Sequence, residues 1–156
     1  MARLTPALAL LAGLASASAA RALTVADMEE RTAIIAERYL QVWSQDGASA
    51  VDGVPYVYGP TVRFYGRPYT REQLMAEKRR AIVQWPERRF VQRPGTVRVV
   101  CNEAELRCTS RSIIDFEARN PRRGTSKRGS ARFELGVGFA GPNPQILHEG
   151  GSLNSR

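Results

Sequence analysis

The chain has 156 residues and a formal net charge of +8, with two cysteines and one histidine. That length suits one domain with a sizeable core rather than two. So few nitrogen and sulfur ligands leave no ordinary four-ligand zinc centre to build, and the basic balance favours anionic surroundings.

In chain order, Arg3 precedes an uncharged stretch from Leu4 to Ala20, with Leu8, Leu10, Leu11 and Leu14 as its apolar heart. Ala17-Ser18-Ala19 fits the small-x-small rule of signal peptidase, and Ala20-Arg21-Ala22 offers a later cut. The stretch contains Pro6 and is shorter than the roughly 20 apolar residues of a spanning helix. Residues 1–19 are therefore expected to be a cleavable signal peptide and 20–156 a single exported domain, periplasmic or secreted.

Thr24-x-x-Asp27 predicts a helix start, and Met28, Thr32, Ile35, Tyr39 and Val42 recur at helical spacing up to Trp43. The segment from Gln45 to Pro60 is broken by glycine and proline, with room for a short helix around Ala48 to Asp52. Val62 to Tyr65 reads as a short strand and Gly66-Arg67-Pro68 as a turn. Thr70-x-x-Gln73 is a capping box for a second helix, whose apolar stripe is Leu74, Ala81, Ile82 and Trp85, with Lys78 inside it. Pro86 ends that helix.

From Arg88 onward the pattern is β. Strands are expected at Arg88 to Gln92, Thr96 to Cys101, Cys108 to Ala118, Ser130 to Phe139 and Gln145 to Leu153. Ala131, Phe133, Leu135, Val137 and Phe139 alternate with Arg132 and Glu134, and Ile114, Phe116 and Ala118 alternate with Asp115 and Glu117. One sheet face is thus core and the other charged. Cys101 and Cys108 flank a hairpin loop, and opposed residues of antiparallel strands lie within disulfide reach. Export makes that disulfide the default.

Two long helices followed by a run of hairpin-linked strands make a segregated α+β pattern. It resembles the nuclear transport factor 2-like (NTF2-like, SnoaL-like, cystatin-type) superfamily, and more closely an exported NTF2-like branch of α-proteobacteria. The residues carrying the closer resemblance are Val62-Arg63-Phe64-Tyr65-Gly66-Arg67, Thr70-Arg71-Glu72, Lys78-Arg79-Arg80 and Trp85-Pro86-Glu87-Arg88-Arg89. Arg93-Pro94-Gly95, Cys101, Cys108, Ser130-Ala131-Arg132-Phe133 and Glu149-Gly150-Gly151-Ser152 belong with them. The resemblance implies a cone: a curved antiparallel sheet wrapped around N-terminal helices, with a pocket between them. It also implies pairing of two copies through the open sheet face. The Gly53–Pro55 region departs from the helical second segment usual there.

Several residues could carry chemistry. His148, beside Glu149 in the last strand, is the single histidine, and no G-x-S-x-G elbow accompanies it. Isomerases of this fold use a cavity carboxylate as base and a tyrosine or protonated acid as oxyanion donor. Asp115, Glu117, Glu134, Tyr39 and Tyr65 are the candidates here, but the three carboxylates alternate out of phase with the core and should line the outer face with Arg111 and Arg132, in cross-strand ion pairs. Trp43, Tyr58, Tyr65 and Trp85 are the expected ligand-binding aromatics. The loop Arg119 to Arg128 has no carboxylate, and its Arg122, Arg123, Lys127 and Arg128 are the expected anion-binding surface. It has no aromatic to stack a base, so nucleic acid is not expected.

The expected function is therefore an exported, non-enzymatic module, without cofactor or metal, that binds a small apolar ligand in the cone or docks on an anionic envelope component. The alternative is an isomerase- or hydratase-like enzyme, which a buried carboxylate facing the cavity would favour.

Overall fold

The computed structural model describes residues 23–45, 51 and 57–153. The expected signal segment and the short helix around Ala48 to Asp52, Val51 excepted, lie outside the described residues.

Helix α1 (Val25–Trp43) opens on the expected capping box: the Thr24 hydroxyl accepts from Asp27 N, and the Asp27 carboxylate accepts from Thr24 N. Two of the orphan donors of the first turn are thereby satisfied. Its buried face is Met28, Thr32, Ala36, Tyr39, Leu40 and Trp43, with Ile35 and Val42 half-buried at the flanks.

Strands β1 (Tyr58–Phe64) and β2 (Arg67–Thr70) form a hairpin with Phe64 opposite Arg67. Its two loop residues, Tyr65 and Gly66, have φ of 47° and 84°. Positive φ at both positions is what the twist of a two-residue hairpin asks for. The turn therefore comes earlier than Gly66-Arg67-Pro68, and Arg67 and Pro68 are strand residues.

Thr70 caps α2 (Arg71–Gln84) through the expected box with Gln73. The helix buries Leu74, Met75, Lys78 and Ile82. Trp85, grouped with this stripe in the sequence, is instead the C-cap residue. It is half-buried, with the Lys127 ammonium 5.4 Å from its ring.

The remaining strands are β3 (Glu87–Gln92), β4 (Arg98–Asn102), β5 (Arg107–Asn120), β6 (Thr125–Gly138) and β7 (Gln145–Leu153). The sheet order is β2-β1-β7-β6-β5, with β3 and β4 paired one after the other along the far edge of β5. Every pairing is antiparallel except β1 with β7. Helix α1 packs against β3, β4 and β5, and α2 against β1 and β2. Leu74, Leu135 and Ile146 are fully buried between these layers, each worth about 1.5–3 kcal/mol.

Cys101 and Cys108 stand opposite each other in β4 and β5 and are joined by a disulfide, with Cα atoms 4.0 Å apart. The expected basic loop is shorter than its sequence suggested. Strand pairing runs out to Asn120 and Thr125, so only Pro121–Arg123, a single 3₁₀ turn, and Gly124 make the tip. Lys127 and Arg128 are strand residues, opposite Ala118 and Glu117.

Candidate functional site

The site begins with an irregularity in β7. Its register against β6 slips: Gly136 faces His148, but Val137 faces Ile146. Leu147 is the extra residue of a β-bulge, and a bulge re-aims the side chains beyond it. Unbroken alternation from the inward-facing Ile146 would send His148 inside and Glu149 out. The bulge reverses this, so Glu149 is 5% exposed in the core. His148 sits on the outer face, where its Nε2 is 3.0 Å from Glu134.

Three elements converge on Glu149. Lys78 of α2 places its Nζ 2.6 Å from Oε1. Tyr39 of α1 and Tyr58 of β1 donate to Oε2 at 2.5 and 3.1 Å. Lys78 also donates to the Tyr39 hydroxyl at 2.7 Å, and the two phenol oxygens are 2.9 Å apart. The Lys78 ammonium lies 4.8 Å from the Trp43 ring centre and 4.9 Å from that of Phe64, within cation–π range. Burial lowers the Lys78 pKa from its ordinary value, opposed by Glu149. Burial, then the Glu149 charge, raises both phenols well above theirs. Tyr39 and Tyr58 therefore stay protonated and act as donors.

Beside this cluster lies a cavity of about 280 Å³ with Lys78 and Glu149 in its wall. Its other walls are mostly apolar, with Trp43, Phe64, Tyr65, Phe90 and Phe133 as the rings, and Glu77 and Arg88 also border it. Tyr65 stands at the rim, held by its positive φ and by its N–H bonded to the Glu149 carbonyl at 2.8 Å. Arg88 closes the far end. Its guanidinium donates to the carbonyls of Trp43, Gln45, Trp85 and Pro86, binding the last turns of both helices together. A cation there also complements two helix C-termini.

Of the aromatics singled out in the sequence, Trp43 and Tyr65 line the cavity. Tyr58 is buried behind Glu149, with its hydroxyl on the carboxylate, and Trp85 lies outside the cavity at the end of α2. Asp115, Glu117 and Glu134 lie on the other sheet face, as their phase predicts. Asp115 pairs with Arg93 and Glu134 with Arg111, both at 2.6 Å. Gly150 leaves the space over which His148 reaches Glu134, since a Cβ there would sit 3.0 Å from His148 Nε2. Arg122, Arg123, Lys127 and Arg128 are all exposed. Sequence reasoning missed Glu149 and Lys78. Lys78 was marked by its charge inside an apolar helical stripe. Both residues fall in segments that carry the family resemblance, Lys78-Arg79-Arg80 and Glu149-Gly150-Gly151-Ser152, but neither signal points to a site. Among the described residues, no three His, Cys, Asp or Glu side chains are grouped as a metal site.

No protein-family model matches the chain, and no curated protein matches its sequence. Solved structures do match its fold. A nuclear transport factor 2-like superfamily protein from Salmonella enterica superposes with a TM-score of 0.69 at 12% identity, over 85% of this chain and 95% of its own. The β subunit of benzoate 1,2-dioxygenase from Burkholderia mallei gives 0.59 at 14% identity, over 86% and 93%. Bd1075 from Bdellovibrio bacteriovorus gives 0.62 at 10% identity, over 81% of this chain; the match spans 41% of that longer protein. Identities this low carry the fold and nothing finer. The chain has the NTF2-like α+β fold, helices against a curved, mostly antiparallel sheet.

Proposed function

We propose that the protein is a small-molecule binding module whose ligand enters the cone and lies between Trp43, Phe64 and Phe133, with one oxygen turned to Lys78 and Tyr39. The observation that carries this reading is the aromatic cavity of about 280 Å³ ending on a buried ion pair. Concave, mostly apolar sites with a few convergent polar groups are where small ligands bind. Lys78 and Glu149 offset each other's charge, so a neutral, flat molecule with a hydroxyl or carbonyl fits best. Titration with 2-naphthol tests this in a Trp85→Phe background, where Trp43 is the sole tryptophan. Saturable quenching of Trp43 fluorescence is expected, and a flat titration would remove the reading.

A second reading, acid–base catalysis of the isomerase or hydratase type, has one observation in its favour: Glu149 is a buried carboxylate in the cavity wall. Against it, Oε1 and Oε2 accept from Lys78, Tyr39 and Tyr58. A free general base would need a lone pair aimed at substrate.

The module is further proposed to act outside the cytoplasm, in keeping with its disulfide, and to associate weakly with anionic envelope surfaces through the β5–β6 hairpin end. Arg122, Arg123, Lys127 and Arg128 are exposed there, and each cation near such a surface is worth about 1 kcal/mol. Changing all four to serine should abolish low-salt sedimentation with anionic liposomes and leave the urea midpoint nearly unchanged, since the Lys127 contact with Trp85 is worth about 0.5–1 kcal/mol. Undiminished binding would refute this role.

A further inference from the structure

Of the chain's 23 basic residues only two are lysines, Lys78 and Lys127. Everywhere else this sequence meets the need for a cation with arginine. Arginine is also the better residue for a buried ion pair, because its fork binds a carboxylate through two bonds and its charge is never lost. Yet the cation paired with Glu149 in the cavity wall is a lysine. A lysine amine can do one thing a guanidinium cannot: lose its proton and act as a nucleophile.

The surroundings of Lys78 suit that use. Glu149 lies 2.6 Å away as a proton acceptor, and the Tyr39 hydroxyl lies 2.7 Å away. The cavity borders all three. Trp43 and Phe64 present their rings to the nitrogen and would continue to stabilise a cation formed there. Burial favours the neutral amine over the ammonium, the condition under which pocket lysines become reactive.

We propose that Lys78 captures a small aldehyde in the cone as a Schiff base, with Glu149, whose Oε1 already accepts from the Lys78 ammonium, as the proton carrier. The Lys78 ammonium passes a proton to Glu149. The amine lone pair then forms a C–N bond to the carbonyl carbon, and the oxygen takes the proton from Glu149 to give a carbinolamine. A second N–H proton travels by the same carboxylate to the hydroxyl, which leaves as water. The sum is ammonium plus aldehyde giving iminium plus water, with Glu149 restored as the counter-ion. No oxidant, reductant or metal is consumed.

This inference rests on the pocket proposed above and is tested separately from it. The disulfide-intact protein is incubated with 2-naphthaldehyde and sodium cyanoborohydride at neutral pH, and the modified residues are located by peptide mass mapping. One naphthylmethyl group on Lys78 is expected, formed ahead of any on the exposed Lys127. Lys78→Arg should lose that label, and Glu149→Gln should slow labelling. Label confined to Lys127 or the N-terminus, in protein whose Trp43 still responds to 2-naphthol, would overturn the Schiff base and leave the pocket standing. Loss of the naphthol response as well would overturn both.

Discussion

On the inner face of the sheet, Glu149 meets Lys78 and two phenols, and both of its oxygens are used. On the outer face, one residue earlier in the same strand, His148 joins Arg111 around Glu134 in reach of solvent. Each cluster sets a cation 2.6 Å from a carboxylate. What differs is water. An exposed pair exchanges protein contacts for equally good hydration and is worth about 0–1 kcal/mol. A buried pair has given up its hydration, so it is not itself a source of stability, but removing one partner strands the other. A buried polar cluster that contributes little to stability by itself and lies beside a cavity points to a use beyond folding.

The sharpest way to break the comparison is Glu149→Gln. It leaves the Lys78 ammonium buried without its carboxylate, and a loss of about 3–5 kcal/mol is expected from the urea midpoint. The double change Lys78→Met with Glu149→Leu should recover most of it, because an apolar pair of similar volume needs no hydration. The phenols of Tyr39 and Tyr58 would then have each other, 2.9 Å apart. If the double variant is no better than the single, the cluster is a stabilising network rather than a functional one.

The disulfide gives a yardstick between the extremes. It closes a short loop at the sheet edge, neither cysteine lines the cavity, and replacing Cys101 and Cys108 by alanine should cost about 2–3 kcal/mol by the loop-entropy estimate. Binding of 2-naphthol should not change. Glu134→Gln on the outer face should cost no more than about 1 kcal/mol, although it strips a partner from both Arg111 and His148. A loss as large as that of Glu149→Gln would mean that the outer face is covered in solution.

These contrasts also mark what the sequence could and could not convey. Thr24 with Asp27, and Thr70 with Gln73, announce both helix starts through local chemistry that needs no tertiary context. Cys101 opposite Cys108 and the alternation from Phe133 to Val137 are likewise local. The cavity cluster is not. Glu149 faces inward only because Leu147 is bulged out of the ladder with β6, and nothing in Gln145-Ile146-Leu147-His148 marks which residue that will be. The parallel pairing of β1 with β7 joins segments some 85 residues apart, since Arg63 stands opposite His148, and no periodicity reports it. Lys78 was visible as a charge in an apolar stripe, yet a lysine beside two arginines also fits a solvated helix face. Trp85 was misplaced for a simpler reason: Pro86 ends the helix, and the C-cap residue leaves the stripe with φ of −132° and ψ of 75°.

The smallest effect separates the two faces by pH. On the outer face, Arg93 donates two hydrogen bonds to Asp115 and Ser130 donates a third. The bonds from Arg93, then that from Ser130, hold the Asp115 carboxyl below its ordinary 3.8. A carboxyl depressed on folding stabilises the folded chain above its ordinary pKa. That contribution fades as pH falls through the lower, folded value. On the inner face the sign is the same and the window is at the other end. Burial lowers the Lys78 pKa from 10.5, so below that value the unfolded chain binds the extra proton and stability rises with pH. Above pH 10 the raised phenols of Tyr39 and Tyr58 hold protons that the unfolded chain has lost, and the slope reverses. Asp115→Asn should therefore be slightly less stable than the parent at neutral pH, converge with it well below pH 3.8, and track it at alkaline pH. Salt should shrink the neutral-pH difference, since the pair is exposed and screened over about 8 Å at physiological ionic strength. The double change Lys78→Met with Glu149→Leu, which strands neither partner, should by contrast remove the rise that Lys78 gives below 10.5. Urea midpoints for the parent and both variants across that range decide it. An alkaline limb that moves with Asp115→Asn would mean that the sheet does not insulate its two faces from each other.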